Sequence, residues 1–142
     1  MTGANCGLGL EVARHFVRLG AAKVILACRS TRKGEAAKTD IEKTTGRKNV
    51  IEVWQVDLTS FDSVKKFCAR AQTLSRLDVV IESAGIATGK FELFEGYEST
   101  ITVNVISTFL MALLLLPKLR ETATKFNIIP HLTIVSSDAH QM

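Results

Sequence analysis

Apolar residues along this chain follow two spacings, and the changes between them divide the sequence into helices and strands. The first helix is indicated by apolar residues three to four positions apart: Leu8, Val12, Phe16 and Leu19. Gly20 ends that pattern, and the continuous apolar run at residues 23–28 is typical of a short buried strand. The sequence therefore begins with a predicted helix that is followed directly by a predicted strand.

The same succession continues through the rest of the chain. Further helices are predicted over residues 31–45, around the apolar stripe at residues 64–74, and from about residue 97 to 124, where Pro117 kinks the helix or ends its apolar part. Further strands are predicted over residues 50–56, 77–81 and 131–136. Strands that alternate strictly with helices indicate a parallel sheet covered on both faces. We therefore predict an α/β fold, a doubly wound parallel sheet, in one domain spanning residues 1–142.

A glycine-rich stretch ahead of the first helix indicates a binding site for phosphate. Gly3 would permit a tight turn, Gly7 would let bare backbone approach a pyrophosphate, and Gly9 would let the helix pack close to a sheet. The N–H groups and the dipole at the start of the helix would favour the anion. Such a cradle follows a strand, whereas only Met1 precedes this one, so we expect the first strand of the fold to be missing.

Composition and charge narrow the class of protein. The 142 residues are 46% hydrophobic and 23% charged, which is ordinary for a globular domain. The basic residues behind the net charge of +4 are scattered among acidic ones, so we predict no nucleic-acid partner. Cys6, Cys28 and Cys68 are too widely spaced to suggest a metal site, and they indicate reduced thiols in a cytoplasmic setting.

The apolar run from Phe109 to Pro117 is shorter than the roughly 20 residues that cross a bilayer. We therefore expect no membrane span. A helix as apolar as this is better explained if it is buried or faces another subunit, and residues 98–124 are a candidate surface for a homo-oligomer.

Four short signatures, taken together, resemble the short-chain dehydrogenase/reductase family. They are Thr2 to Gly9, Asp57-Leu58, Ser83-Ala84-Gly85 and Val135-Ser136-Ser137. The chain is most similar to the retinol-dehydrogenase-like branch and to fungal members that act in secondary metabolism. The resemblance implies a Rossmann-like fold and reversible hydride transfer between a nicotinamide cofactor and a small carbonyl or alcohol substrate.

The resemblance also implies which residues contact the cofactor. Asp57 would accept a hydrogen bond from the adenine amino group, although a helix cap is an alternative for this carboxylate. Ser83 stands where the family usually has Asn beside the cofactor ribose, and its hydroxyl still donates and accepts hydrogen bonds. Further cofactor contacts are expected, besides those of the three cradle glycines, from Asn5, Leu8, Leu58, Ala84 and Gly85.

Two catalytic roles follow from the same resemblance. Ser137 matches the family's catalytic serine, which hydrogen-bonds the substrate oxygen, while strand-end capping is the alternative. Asn104 matches an Asn that supports a proton-relay water. Because Asn is mildly unfavourable within a helix, we expect a compensating contact, and a structural role is the alternative.

The family's general acid is a Tyr followed four residues later by a Lys, and this sequence lacks that pair. Tyr97 is its single tyrosine, is followed at that distance by Ile101, and precedes Ser137 rather than following it. We interpret Tyr97 as an aromatic residue on a helix face. We expect that the chain is truncated at both ends and for that reason lacks the Tyr-Lys pair, and a catalytically inactive cofactor-binding or regulatory module is the alternative.

A serine hydrolase is a third hypothesis, based on Ser136, Asp138 and His140. The spacing argues against it, because the sequence contains no Gly-x-Ser-x-Gly turn and residues two apart at a strand end do not converge as a catalytic triad does.

The residues after the strand at 23–28 select between the two nicotinamide cofactors. NAD-binding proteins place an acidic residue there for the ribose hydroxyl, whereas NADP-binding proteins use a basic one for the 2′-phosphate. Here Arg29 follows, and Arg32 and Lys33 come soon after, with no carboxylate before Glu35. Arg29 can present its guanidinium fork and Lys33 a point charge, so we predict NADP. A solvated basic helix start is the alternative.

Overall fold

The computed structural model describes residues 1–137, which form an α/β fold. The helices are α1 (Gly7–Arg18), α2 (Thr31–Thr45), α3 (Phe61–Gln72) and a long helix, Ser99–Phe126. The strands are β1 (Val24–Cys28), β2 (Ile51–Gln55), β3 (Val79–Glu82), β4 (Leu93–Phe94), β5 (Tyr97–Glu98) and β6 (His131–Ile134). Strand β1 pairs with β2 and β3 pairs with β6, both in parallel. The predicted α/β class is confirmed.

Helices cover both faces of the parallel sheet. Successive side chains in a strand point to opposite faces. In β1, Leu26 packs in an apolar cluster with residues of α1 and α2, whereas Ala27 packs in a second cluster with residues of α3 and the long helix. The two clusters therefore lie on opposite sides of the sheet, and the doubly wound arrangement is confirmed.

Met1 and Thr2 lie between the two strand pairs. Thr2 forms parallel bridges to both Ala27 in β1 and Glu82 in β3. The N–H of Thr2 donates to the carbonyl of Ile81 at 2.9 Å, and the N–H of Ala27 donates to the carbonyl of Met1 at 2.9 Å. On the far side of Met1 from the cradle, no strand of the described residues lies between β1 and β3.

A short hairpin, β4–β5, precedes the long helix and is absent from the sequence prediction. Its loop consists of Glu95 and Gly96, whose φ angles of +53° and +84° match a two-residue hairpin turn. Tyr97 therefore lies in β5, antiparallel to Phe94, and is 52% exposed. The interpretation of Tyr97 as a helix-face aromatic is wrong.

The long helix begins later than predicted because Glu98 caps it. The Glu98 carboxylate accepts hydrogen bonds from the N–H groups of Thr100 and Ile101, so the first helical residue is Ser99. Hydrogen bonds from the Thr100 hydroxyl and its N–H, and from Ser99, lower the pKa of Glu98 to about 2. The Glu98 carboxylate is therefore ionised at neutral pH.

The long helix also ends later and is less regular than predicted. It contains a π-helical turn, Thr102–Ser107, and it continues through Pro117 to Phe126. By length and composition alone it could cross a membrane, since its most apolar 18-residue window has a mean hydropathy of 2.0. However, 44% of that window is buried against the rest of the protein. Met111 and Leu115 pack in the cluster beneath the sheet, as expected of a core helix.

Candidate functional site

A cavity of about 540 Å³ lies at the carboxyl ends of β1, β2 and β3. Ligands of doubly wound sheets bind at this edge, where the strands end and the loops begin. Nearly all of the predicted cofactor residues line it: Gly3, Asn5, Leu8, Gly9, Arg29, Lys33, Asp57, Leu58, Ser83, Ala84 and Gly85. Gly7, Asn104 and Ser137 do not line it. The structure thus gathers residues that are up to 82 positions apart in sequence around one space.

Two glycines of the cradle are required by close backbone contacts. A Cβ on Gly3, whose φ is +65°, would lie 2.9 Å from the backbone of Ala84 in the turn after β3. A Cβ on Gly9 would lie 2.3 Å from the carbonyl oxygen of Gly3. Gly9 therefore lets α1 pack closely onto Gly3, which directly follows Thr2, the residue that bridges the two strand pairs. Gly7, with φ +54°, has nothing within 4 Å of its Cβ position, so its backbone borders open space.

The start of α1 fits an anionic group. Cys6 is the residue before the helix, and it makes no side-chain capping hydrogen bond. The first turn of α1 contains no acidic residue. The first N–H groups of a helix have no partner within it and carry the positive end of its dipole. Gly7, Leu8 and Gly9 therefore offer backbone donors to a phosphate at this point.

Thr2 has a structural role that the sequence did not reveal. Its side chain is buried, and its hydroxyl oxygen accepts hydrogen bonds from the N–H groups of Ser83 and Ala84, each at 3.1 Å. These bonds hold the turn after β3 against the cradle. The position of Thr2 at the start of the glycine-rich stretch was the available signal, but its partners lie far along the chain, in the turn after β3.

Asp57 lies at the rim of the cavity and is not the cap of α3. Its Oδ1 atom accepts hydrogen bonds from the N–H of Thr59 at 2.9 Å and from the Thr59 hydroxyl at 2.8 Å. The cap of α3 is Ser60, whose hydroxyl accepts from the N–H of Ser63. The alternative interpretation of Asp57 as a helix cap is therefore wrong, and its carboxylate is held in a turn beside the cavity.

The basic side of the cavity is formed by Arg29 and Lys33. Both side chains are exposed, and among residues 1–137 no ion pair involves either of them or Arg32. Ser30 caps α2 by accepting a hydrogen bond from the N–H of Lys33 at 3.4 Å. The positive charges therefore stand at the start of a helix, where they oppose the helix dipole unless an anion lies between them.

Asn104 clamps the segment that follows Gly85. Its Nδ2 donates to the carbonyl of Ile86 at 2.8 Å, and its Oδ1 accepts from the N–H of Ile86 at 2.9 Å. Asn104 lies in the π-helical turn, a feature that occurs frequently at functional sites. The expected compensating contact for a mid-helix Asn is confirmed. Ile86 itself lines the cavity, so Asn104 shapes the site through its neighbour.

Ser137 follows β6 and is exposed. The N–H of Val135 donates to the carbonyl of Glu82 at 2.9 Å, which extends the pairing with β3, and Val135 lines the cavity. The segment that leads to Ser137 therefore reaches the same edge of the sheet. Asp138 and His140, the partners in the serine hydrolase hypothesis, lie outside the described residues.

The three cysteines carry free thiols, and two of them are packed. Cys28 and Cys68 are buried, whereas Cys6 is exposed and lines the cavity. Burial raises the pKa of Cys68 to about 12. The prediction of mostly packed thiols is confirmed. Within residues 1–137 no group of three or more metal-ligating side chains is present.

A glycine cradle at the carboxyl edge of a doubly wound parallel sheet defines the class of α/β proteins that hold phosphate-bearing ligands at that edge. The comparison with protein families is more specific. Residues 1–140 match the family described as short chain dehydrogenase, and the chain belongs to this family.

Relatives of the chain occur in fungi. It is 57% identical over 142 residues to the short chain dehydrogenase/reductase dmxR8 of Cryptosporiopsis sp. (strain 8999), with 99% of this chain and 44% of that protein covered. It is 53% identical over 143 residues to the short chain dehydrogenase atnD of Emericella nidulans, with 99% of this chain and 46% of that protein covered. The chain therefore spans less than half the length of these relatives.

Solved structures show the same fold. A short-chain dehydrogenase from Sphingobium yanoikuyae in complex with NADPH superimposes with a TM-score of 0.80 at 23% identity, covering 97% of this chain and 52% of that one. A metagenomic short-chain oxidoreductase in complex with NADP gives a TM-score of 0.76 at 26% identity, covering 96% of this chain and 60% of that one.

Proposed function

We propose that this chain is the cofactor-binding part of an NADP-dependent short-chain dehydrogenase/reductase, which transfers hydride between the nicotinamide and a small carbonyl or alcohol substrate. The observation that carries the proposal is the cavity in which the cradle, the start of α1 and the basic residues Arg29 and Lys33 meet. The NADPH and NADP bound to the two structural neighbours support it. A role in fungal secondary metabolism rests on the family resemblance, and a cytoplasmic location rests on the free thiols.

The cavity offers a partner for each part of the cofactor. The backbone around Gly7 and the start of α1 would hold the pyrophosphate, because this position is open and supplies N–H donors. Arg29 and Lys33 would hold the 2′-phosphate. Asp57 would accept a hydrogen bond from the adenine, and Ser83 would contact a ribose. When bound, the nicotinamide would supply or accept the hydride.

The other residues of the site position these groups. Thr2 holds Ser83 and Ala84 by hydrogen bonds, and Asn104 holds Ile86 just after the turn Ser83-Ala84-Gly85, so together they would keep this side of the cavity in place. Ser137 would donate a hydrogen bond to the substrate oxygen. The sequence contains no Tyr-x-x-x-Lys pair, and general acid/base catalysis contributes typically 10²- to 10⁴-fold in rate. We therefore propose that the 142-residue chain alone has no measurable turnover, as an inactive cofactor-binding module also would.

Titration of the protein with NADPH and NADH by calorimetry tests the cofactor proposal. A charge-assisted contact to the 2′-phosphate is worth about 1.5 to 3 kcal/mol, so NADPH should bind roughly ten- to hundredfold more tightly than NADH. Arg29→Ala should remove most of that preference and leave NADH binding unchanged, because NADH lacks the phosphate.

Arg32→Ala is the matched control for this experiment. Arg32 is an exposed base on the same turn of α2, but it does not line the cavity. Its removal should leave the preference for NADPH almost intact. Equal weakening of both cofactors by Arg29→Ala, or equal effects of the two substitutions on NADPH, would remove the support for NADP.

We further propose that the protein self-associates through the long helix. Four apolar side chains at four-residue spacing are about half exposed along one face of it: Ile101, Val105, Phe109 and Leu113. A continuous apolar stripe of this kind on a helix surface favours packing against another apolar surface. We also propose that residues 1–142 form a single domain.

A further inference from the structure

The π-helical turn of the long helix contacts two separate loops of the cavity. Asn104, on this turn, holds Ile86 in the segment after β3. Ser107, at the end of the same turn, is fully buried, and its hydroxyl donates to the carbonyl of Leu58 after β2 at 2.6 Å. Val103 of the same turn lines the cavity itself. One turn of helix is therefore in contact with the loops that follow two different strands.

The widened geometry of this turn helps it to reach both loops. Residues three apart on an α-helix lie on the same face. Hydrogen bonds in a π-helical turn join residues five apart, so side chains three apart diverge further there than on an α-helix. The buried hydroxyl of Thr108 donates to the carbonyl of Val103, five positions earlier, at 3.0 Å and supports the turn. Asn104 and Ser107 can therefore contact different loops.

The bond from Ser107 is made to the turn that carries Asp57. The carbonyl of Leu58 and the N–H of Thr59 belong to one peptide group, which is planar. The carbonyl end of this group accepts from Ser107, and the N–H end donates to Oδ1 of Asp57 at 2.9 Å. A single rigid peptide group therefore lies between the Ser107 hydroxyl and the Asp57 carboxylate.

Loss of the Ser107 hydroxyl would disturb that carboxylate. Leu58 is buried, and a buried carbonyl without a partner is unfavourable. Rotation of the peptide group would relieve this cost, and the N–H of Thr59 would then turn together with the carbonyl. The N–H of Asp57 would stay bonded to the Ser63 hydroxyl, which accepts it at 2.9 Å. The backbone of Asp57 would therefore remain in place while its side chain moves.

We propose that Ser107 is a positioning residue for recognition of the adenine base. Through the peptide group between Leu58 and Thr59, its hydroxyl orients the Asp57 carboxylate toward the amino group of adenine. A carboxylate only accepts hydrogen bonds, so it suits an amino group and opposes a base with an oxygen in that place. Ser107 therefore contributes to the choice between adenine and hypoxanthine. This inference rests on the proposed function, in which Asp57 accepts from the adenine.

Binding of NADPH and of its hypoxanthine analogue, which has a carbonyl oxygen in place of the amino group, tests the proposal. Calorimetric titration of the unmodified protein should give a preference for NADPH of about tenfold or more, because the analogue sets two acceptors against each other. Ser107→Ala should reduce this preference to about threefold or less, mainly by weakening NADPH binding. A merely structural role of Ser107 would weaken both ligands alike and leave their ratio unchanged, which would overturn the proposal.

Two further variants separate this inference from the proposed function. Thr108→Val removes a buried hydroxyl that donates within the helix, and it should leave the preference intact. Asp57→Asn replaces an acceptor by an amide that also donates, and it should abolish the preference.

The outcomes are distinct. If Asp57→Asn abolishes the preference and Ser107→Ala retains it, the role of Ser107 is wrong and the cofactor proposal stands. The same conclusion follows if Thr108→Val lowers the preference as much as Ser107→Ala does. If the unmodified protein does not distinguish the two ligands, the role of Asp57 is wrong, and this inference is wrong with it.

Discussion

At the scale of single residues, Glu82 carries the least favourable burial in the described chain. Its side chain lies at the end of β3, the residue is 3% exposed, and its Oε1 atom has no hydrogen-bond partner among residues 1–137. Burial raises the pKa of Glu82 to about 7, and the positive charge of the Met1 amine opposes the shift. Burial of Glu82 could not be predicted from the sequence, because a buried carboxylate beside a binding turn has the same sequence pattern as an exposed one.

Glu82→Gln should therefore stabilise the protein at neutral and higher pH. The carboxyl has a pKa near 4.5 in the unfolded chain and about 7 in the folded one, so folding favours its protonated form. Below about pH 4.5 the carboxyl is protonated in both states and does not change the free energy of unfolding. Between pH 4.5 and 7 its ionisation lowers that free energy, and above pH 7 the loss is about 3 kcal/mol relative to pH 4. Urea denaturation of both proteins at pH 4 and pH 8 measures the difference.

The Met1 amine and the Cys68 thiol, which also face Glu82, are present in both proteins. Because the pKa of the amine is lowered in the folded protein, its titration makes the free energy of unfolding rise with pH between about pH 6 and 8, opposite to the effect of Glu82. The two proteins must therefore be compared at equal pH. Glu35→Gln, at an exposed position, should show no such change. A stability difference between Glu82→Gln and the unmodified protein that is the same at pH 4 and pH 8 would contradict this account.

At the scale of elements, the sequence predicts best where local signals determine the boundary. The helix at residues 31–45 is predicted at its observed bounds, because Ser30 caps its start and Gly46, with φ +71°, ends it. The hairpin β4–β5 is missed because two-residue strands have no periodicity to detect. The cradle is predicted from its glycine spacing together with the helix and strand that follow it. The contacts of Thr2 and Asn104 are not, since their partners depend on tertiary structure.

The π-helical turn should depend on the clamp that Asn104 makes. Asn104→Ala removes two hydrogen bonds to Ile86, each worth about 0.5 to 1.5 kcal/mol, so we expect a loss of about 1 to 3 kcal/mol in the free energy of unfolding. Asn104→Asp keeps the acceptor and loses the donor, so its free energy of unfolding should lie between that of Asn104→Ala and that of the unmodified protein. Denaturant melts, with hydrogen exchange at the Ile86 amide, measure both effects.

Thr124→Ala, at an exposed position of the same helix, is the control for a general loss of helix stability. It should cost less than about 0.5 kcal/mol and leave the exchange of Ile86 unchanged. If Asn104→Ala is no more destabilising than Thr124→Ala, the clamp does not hold the turn.

At the scale of the whole molecule, the apolar face of the long helix predicts self-association. Phe109 and Leu113 are 55% and 63% exposed. Placing a charge at the centre of an apolar contact is strongly unfavourable, so Leu113→Glu should convert a dimer into a monomer in sedimentation experiments. Leu19→Glu is the matched control, because Leu19 is 75% exposed but lies just after α1. Dimerisation that survives Leu113→Glu would assign the contact to another surface.

The central claim is that the cavity at the carboxyl edge of the sheet binds a dinucleotide through the cradle, and two glycines test it directly. Gly7 and Gly46 have φ angles of +54° and +71°, and neither has an atom within 4 Å of its Cβ position. Alanine at either place carries a similar conformational cost, but only Gly7 lies between two residues that line the cavity, Cys6 and Leu8.

Calorimetric titration with NADPH should therefore separate the two substitutions. Gly7→Ala should weaken NADPH binding by about tenfold or more, which corresponds to about 1.4 kcal/mol, because the added methyl group stands at the start of α1 between Cys6 and Leu8, which line the cavity. Gly46→Ala should bind NADPH as the unmodified protein does. Equal affinity in all three proteins, or an equal loss in both variants, would contradict the assignment of the cavity as a cofactor site.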